Sequence, residues 1–128
     1  MVAVATRSTA RVLCVDDHRD AADSLAALLT ALGYDARACY DGPTALRVAA
    51  EFEPDVCLLD LNMPGMDGDE LARRLRADAG DAPMILVAIT GRGDAESRLR
   101  IEAAGFHQHL VKPAAVEQIV GAMNKPGT

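Results

Sequence analysis

Val56-Cys57-Leu58-Leu59-Asp60-Leu61-Asn62-Met63-Pro64-Gly65-Met66-Asp67-Gly68 decides how the rest of the chain is read. A short run of apolar and β-branched residues stops at a carboxylate. This is the pattern of a fully buried parallel strand that delivers one charged group to the edge of its sheet. Pro64-Gly65 predicts a tight turn, because Gly tolerates the positive φ that a type II turn needs. Asp67 is placed to cap a helix beginning near Gly68. Taken alone, Asp60 is explained as well by an ordinary loop acid. Its meaning depends on what the ends of the other strands carry.

Upstream, residues 11–16 (RVLCVD) read as a first strand ending in Asp16 and Asp17. Residues 20–32 follow as a helix, with Leu25, Leu28, Leu29 and Leu32 at i, i+3, i+4, i+7 forming an apolar face. Gly33 stands where a left-handed C-terminal residue is wanted. Residues 34–40 form a second, more polar strand whose alternation suggests a sheet edge. Asp41-Gly42-Pro43 caps and starts a helix that lasts to about Phe52.

Downstream, a helix after Gly68 carries Leu71 and Leu75 inward and Arg73, Arg74 and Arg76 outward. Residues 83–89 (PMILVAI) are a strand, and the loop 90–94, ending in Asp94, is capped into a helix that lasts to Ala104 before Gly105. Residues 106–111 are a fifth strand ending in Lys112-Pro113. Residues 114–123 are the last helix, with Val116, Ile119, Val120 and Met123 on one face. Five strand–helix units with short connections predict an α/β fold: one parallel sheet, covered on both faces through right-handed crossovers.

Composition bounds the possibilities. The 128 residues suit one domain, able to bury roughly two-thirds of its unfolded surface. Half are hydrophobic but only 3% aromatic, so the core rests on Ala, Val, Leu and Ile. A net charge of −6 and a pI near 4.9 argue against unaided binding to nucleic acid or anionic lipid. No apolar run reaches the ~18 residues of a membrane span, and no signal peptide is recognisable, so a cytoplasmic protein is expected. Cys14, Cys39 and Cys57, an odd number lying within strands, read as buried free thiols. Residues 1–10 read as a flexible leader, 11–124 as the domain, and 125–128 as a loose tail.

In an open doubly wound sheet, the functional crevice lies at the carboxyl ends of the strands, where the winding reverses. For the common five-stranded order 2-1-3-4-5 that point falls between strands 1 and 3, which end in Asp16-Asp17 and Asp60. Neighbouring carboxylates repel one another and need a cation. All-oxygen ligands of this kind favour Mg²⁺ or Mn²⁺. Thr90 and Lys112 arrive from the ends of strands 4 and 5 with a hydroxyl and a second positive charge. A divalent ion, a lysine and a hydroxyl converging on one aspartate are the apparatus for phosphoryl transfer to it. Each residue also has a plainer reading. Asp16 and Asp17 could cap the first helix, Lys112 could be a solvated strand end, and Thr90 a turn hydroxyl. His18, His107 and His109 show no spacing that supports a transition-metal site.

Asp16-Asp17, the stretch from Asp60 to Gly68, Thr90-Gly91 and Lys112-Pro113 together resemble the response-regulator receiver domain of two-component signalling. The resemblance covers about residues 11 to 123, and these separated elements agree in order and spacing. It implies a flavodoxin-like fold with strand order 2-1-3-4-5 and five helices. Asp60 is then the phosphoacceptor. Asp17, the Asp60 side chain and the Asn62 backbone carbonyl hold Mg²⁺, Asp16 helps through water, and Thr90 and Lys112 hold phosphoryl oxygens. The implied donor is a histidine kinase or phosphotransfer protein. The implied target is a separate output protein, met through the face formed by helix 4, strand 5 and helix 5, and no catalysis is implied beyond the domain's own phosphorylation and dephosphorylation.

Two positions depart from the commonest pattern: Gly91 stands where receivers often carry Ala, and His109 where many carry Tyr or Phe. The run from Gly105 to Pro113 resembles receivers attached to, or partnered with, hybrid histidine kinases. With Thr90, His109 forms the expected switch, shallower than one built on Tyr and sensitive to pH.

Other functions fit less well. A phosphate sink or relay intermediate would use the same site without switching a partner. A nucleotide- or flavin-binding protein of this topology needs a Gly-rich or hydroxyl-rich loop after strand 1, where this chain has Asp17-His18-Arg19-Asp20. An interaction domain without phosphoryl chemistry leaves the three acids unexplained.

Overall fold

The computed structural model describes residues 9–91 and 93–124. The expected tail over 125–128, and all of the expected leader except Thr9 and Ala10, lie outside the described residues. Ten elements alternate along the chain: β1 (Arg11–Val15), α1 (Arg19–Ala31), β2 (Asp35–Cys39), α2 (Gly42–Phe52), β3 (Val56–Asp60), α3 (Gly68–Ala79), β4 (Ile85–Thr90), α4 (Ala95–Ala104), β5 (Gln108–Val111) and α5 (Val116–Met123). All strand pairs are parallel, in the order β2-β1-β3-β4-β5. The expected doubly wound sheet is therefore present.

The alternation of side chains along each strand builds two cores. Val12, Cys14, Val56, Leu58, Val87 and Ile89 meet Leu29 of α1 and Ile119 of α5 on one face. Leu13, Val15, Cys57, Leu59 and Leu86 meet Ala45 of α2 and Leu71 and Leu75 of α3 on the other. Leu61, Ala88 and Ile101 of α4 form a smaller cluster nearby. All five residues of β3 are buried, as its uninterrupted apolar run requires. β2 exposes alternate residues, as an edge strand does. The three cysteines are free and buried, and burial raises their thiol pKa values, that of Cys14 to about 12. Among the described residues no helix is long and apolar enough to cross a membrane.

The local stop and start signals work as expected. Asp41, Asp67 and Asp94 cap α2, α3 and α4 by accepting from the N–H groups of Thr44, Glu70 and Ser97. Gly65 takes φ +79° in the turn after β3.

Three expectations change. On α1 the buried stripe is Ala22, Leu25, Ala26 and Leu29, while Leu28 and Leu32 are 40% and 50% exposed. Two alanines complete the stripe, so the four-leucine face is rotated away from the real one. Arg76 does not point outward but donates to the carbonyl of Met84. β5 starts at Gln108 rather than 106, because the His107 ring substitutes for a strand partner. Leu86 N–H donates to His107 Nδ1 (3.0 Å), and His107 N–H donates to Leu86 O (2.8 Å). Smaller differences occur at other ends: β4 begins after Pro83, which lacks a donor for the ladder. α5 begins after Ala115, whose N–H donates to Gln118 Oε1 (2.8 Å).

Gly68 fixes how closely α3 approaches the end of β3. A Cβ there would lie 2.3 Å from Asp60 O and 2.8 Å from Leu61 Cα, and Gly68 N–H donates to Leu61 O (2.8 Å). Gly68→Ala must therefore push backbone apart and is expected to destabilise the protein by roughly 1–3 kcal/mol. Gly121→Ala, in α5 with nothing within 4 Å of its Cβ, is expected to stabilise by about 0.5–1 kcal/mol. Urea unfolding midpoints at constant m-value measure both. If Gly68→Ala proved as stable as the parent, the contact would not be tight.

Candidate acidic site at the carboxyl end of the sheet

Parallel strands all end on the same side, so β1, β3, β4 and β5 deliver their terminal residues to one rim. Asp16 follows β1, Asp60 ends β3, Thr90 ends β4 and Lys112 follows β5. Each acquires its burial from the neighbouring strand ends: Asp16 is 7% exposed, Asp60 8% and Thr90 fully buried.

Lys112 draws the cluster together. Its Nζ donates to Asp16 Oδ2 at 2.7 Å and lies 3.9 Å from Asp60 Oδ1. Lys112 N–H donates to Thr90 O at 2.7 Å, which ties the start of the Lys112-Pro113 segment to the end of β4. The Lys112–Pro113 peptide bond is cis. Asp16 Oδ1 accepts from His18 N–H (3.0 Å), so Asp16 braces the turn entering α1 without capping it. Asp17 is more open, with its carboxylate 4.0 Å from His18 Nδ1. A cavity of about 100 Å³ adjoins the cluster, lined in part by Asp16, Asp60, Lys112, Ala22 and Leu58.

One lysine faces three carboxylates, and the imbalance falls on Asp60. Burial first, then the charge of Asp16, raises its pKa to about 6. Lys112 and the Asn62 N–H oppose the rise, and Asp17 adds to it. The acids at this rim offer oxygen donors, and one carboxylate oxygen each from Asp16 and Asp17 and one ring nitrogen of His18 lie within 4.8 Å of one another.

Of the residues singled out from sequence, Asp16, Asp60 and Lys112 are in direct contact or close to it. Asp17 and Thr90 border them. His109 lies deeper, opposite Ala88 in the β4–β5 pairing. Its Nε2 is buried with no hydrogen-bond partner among the described residues, and burial and Arg98 lower its pKa. His107 is outside the rim.

Asn62 leads into a second polar cluster. Its Oδ1 accepts from Arg100 Nη1 (3.0 Å), and the same guanidinium grips both oxygens of Asp69, Nε to Oδ2 at 3.2 Å and Nη2 to Oδ1 at 2.9 Å. Nη2 also lies 3.5 Å from Asp67 Oδ2. Burial acts to raise the Asp69 pKa, but hydrogen bonds from Arg100 and Asp67 outweigh it and hold it at about 2. Sequence reading misses Arg100, because its partners lie 31 and 38 positions away with no local pattern joining them. It also misses the close approach at Gly68, for which the Asp67-Gly68 helix start is the available signal.

Residues 12–124 match the family model of the response regulator receiver domain. Response regulator MprA of Mycobacterium ulcerans (strain Agy99) is 36% identical over 113 residues, 88% of this chain and 48% of that protein. MprA of Mycobacterium avium (strain 104) is equally similar, with 88% and 49% covered. The chain thus spans about half the length of the curated relatives it matches. In three dimensions it is similar to the chemotaxis protein CheY4 of Vibrio cholerae, with a TM-score of 0.84 at 28% identity over 91% of this chain and 97% of that one. It is also similar to a response regulator from Burkholderia pseudomallei solved with a phosphorylated aspartic acid, calcium ion and citrate (TM-score 0.82, 26% identity, 91% and 67% covered). Sequence match, strand order and the acidic rim agree, and the chain belongs to the response regulator receiver domain family of two-component signalling.

Proposed function

We propose that this receiver takes a phosphoryl group from a histidine kinase or phosphotransfer protein onto Asp60 and passes the change of state to a separate output protein. The observation that carries the reading is the position of Asp60. It is a buried carboxylate with its pKa raised to about 6, with Asp16 among the causes of that rise, and 3.9 Å from the Lys112 ammonium. An uncompensated, oxygen-lined acidic rim suits a hard divalent cation, Mg²⁺ or Mn²⁺. Asp16, Asp17, Asp60 and the Asn62 carbonyl are the residues that would hold it. When bound, the cation supplies positive charge against the phosphoryl oxygens.

In this reading the Asp60 carboxylate attacks phosphorus, and an O–P bond forms as the P–N bond to the donor histidine breaks. The departing imidazole takes up a proton. Lys112 moves its ammonium from Asp16 toward a phosphoryl oxygen, and the Thr90 hydroxyl donates to another. The new group carries about −1.5 to −2 charges. Two charge-assisted hydrogen bonds at roughly 1.5–3 kcal/mol each approach the ~5.5 kcal/mol that turns a 1:99 equilibrium into 99:1. Movement of Thr90 would open space beside β5, where His109 stands, and alter the α4–β5–α5 face. Leu99 and Val111, 66% and 45% exposed, are apolar contacts available there to a partner. Donor and target share the cytoplasm in this reading, and the chain catalyses only its own phosphorylation and dephosphorylation. A phosphate sink or relay intermediate would use the same chemistry without the change at His109.

A small phosphodonor with Mg²⁺ is expected to add one hydroxylamine-labile phosphoryl group, absent from Asp60→Asn. Asp17→Asn is expected to weaken Mg²⁺ binding on the order of tenfold. Full labelling of Asp60→Asn would overturn the assignment.

Stability should report the same site. The folded state raises the Asp60 pKa from 3.8 to about 6, so it favours the protonated acid. The contribution of Asp60 is undiminished below pH 3.8 and is lost as pH rises to about 6, amounting to at most about 3 kcal/mol. Without metal, Asp60→Asn should therefore melt above the parent at pH 7.5 and show little gain near pH 4. A pH-independent difference would mean that charge is not the cause.

The lowered pKa of His109 makes it neutral at pH 7, so any pH response lies on the acid side of the ordinary histidine range. Its ring resonances are expected to move when a phosphoryl mimic binds Asp60. Unchanged resonances would favour the sink.

A further inference from the structure

Arg100 occupies a position that the chemistry at Asp60 does not explain. A single guanidinium on α4 bonds to Asn62 at the start of the β3–α3 connection and to both oxygens of Asp69 in the first turn of α3. It also lies 3.5 Å from Asp67, the residue whose other oxygen caps α3. The fork therefore spans the whole loop that follows Asp60. On the α4 side the other attachment is apolar, through Ile101 against Leu61 and Ala88. Ser97, Ile101 and Ala104 are the helix's buried residues, and Leu99 faces outward.

Asn62 is two residues from Asp60, and pinning its side chain restricts the backbone between them. We infer that Arg100 is a positioning residue that holds the β3–α3 loop in its cation-binding shape and so couples metal binding at Asp60 to the position of α4. The inference rests on the proposed cation reading, with Arg100 acting through Asn62 and Asp69 rather than touching the ion. Planar, bidentate donors are what the role requires. Lysine offers one charge centre and cannot bridge Asn62 and Asp69 together.

The test is a titration of ¹⁵N-labelled protein with Mg²⁺, following the amides of Asn62 and Gly68 and those of Leu99 and Glu102 on α4, alongside thermal midpoints. Wild type is expected to show saturable shifts at both places. Arg100→Ala is expected to weaken binding on the order of tenfold, the usual effect of losing a group that orients a ligand, and to abolish the response of α4. Arg100→Lys should recover the thermal midpoint but not the affinity. Arg74→Ala, which breaks the exposed 2.8 Å pair with Glu70, should leave affinity unchanged. Adding Arg100→Ala to Asn62→Ala should weaken binding little further. Wild-type affinity and an intact α4 response in Arg100→Ala would overturn the inference, reducing Arg100 to a surface staple. Absence of saturable shifts in wild type would overturn the cation reading, and the inference with it.

Discussion

The bond between Lys112 and Asp16 organises the carboxyl end of the sheet. Its partners come from the two termini of the fold, 96 positions apart in sequence. β1 and β5 are separated by three strand spacings, about 14 Å, so the lysine must cross the ends of β4 and β3 to reach its acid. It can do so because its charge sits on a long flexible stem. That reach closes the rim over Asp60 and leaves Asp60, 3.9 Å from the ammonium, the less compensated of the two buried acids.

The consequence is a built-in imbalance. Three carboxylates and one ammonium cannot all be paired, and a buried acid without full compensation weakens the fold that holds it. The hydrophobic layers on both faces of the sheet tolerate this, because β3 itself is buried at every position. A charged group can be kept at the end of such a strand only if its main chain is held rigidly. Gly68 contributes here by letting α3 pack directly against the Asp60 carbonyl.

The two sides of the rim are held differently. α1 and α5 bury apolar residues against β1, β3 and β4, and the adjoining wall of the cavity is mostly apolar. α4 packs Ile101 against Leu61 and Ala88, and adds polar contacts of Arg100 with the loop after β3. Exposed ion pairs contribute only about 0–1 kcal/mol. A bidentate grip on a half-buried carboxylate is firmer, yet still polar and exchangeable.

The element order, the caps and the rim residues were legible in the sequence because their signals are local. Apolar runs that end in Asp60 or in Asp16-Asp17, an Asp before each of three helices, and Gly at turns and helix ends all act within a few residues. The resemblance to receivers supplied the strand order. Contacts between distant segments were not legible. The leucines of α1 suggested a face of which Leu25 and Leu29 pack inward and Leu28 and Leu32 do not, since only packing reveals that Ala22 and Ala26 take part. The choice of Asp16 over Asp60 by Lys112, the replacement of a strand bond by the His107 ring, and the Arg100 grip on Asn62 and Asp69 arise from the crossovers that bring distant segments together. Pattern along a chain records which face each residue needs to bury. Which polar groups then meet is decided only when the elements are packed.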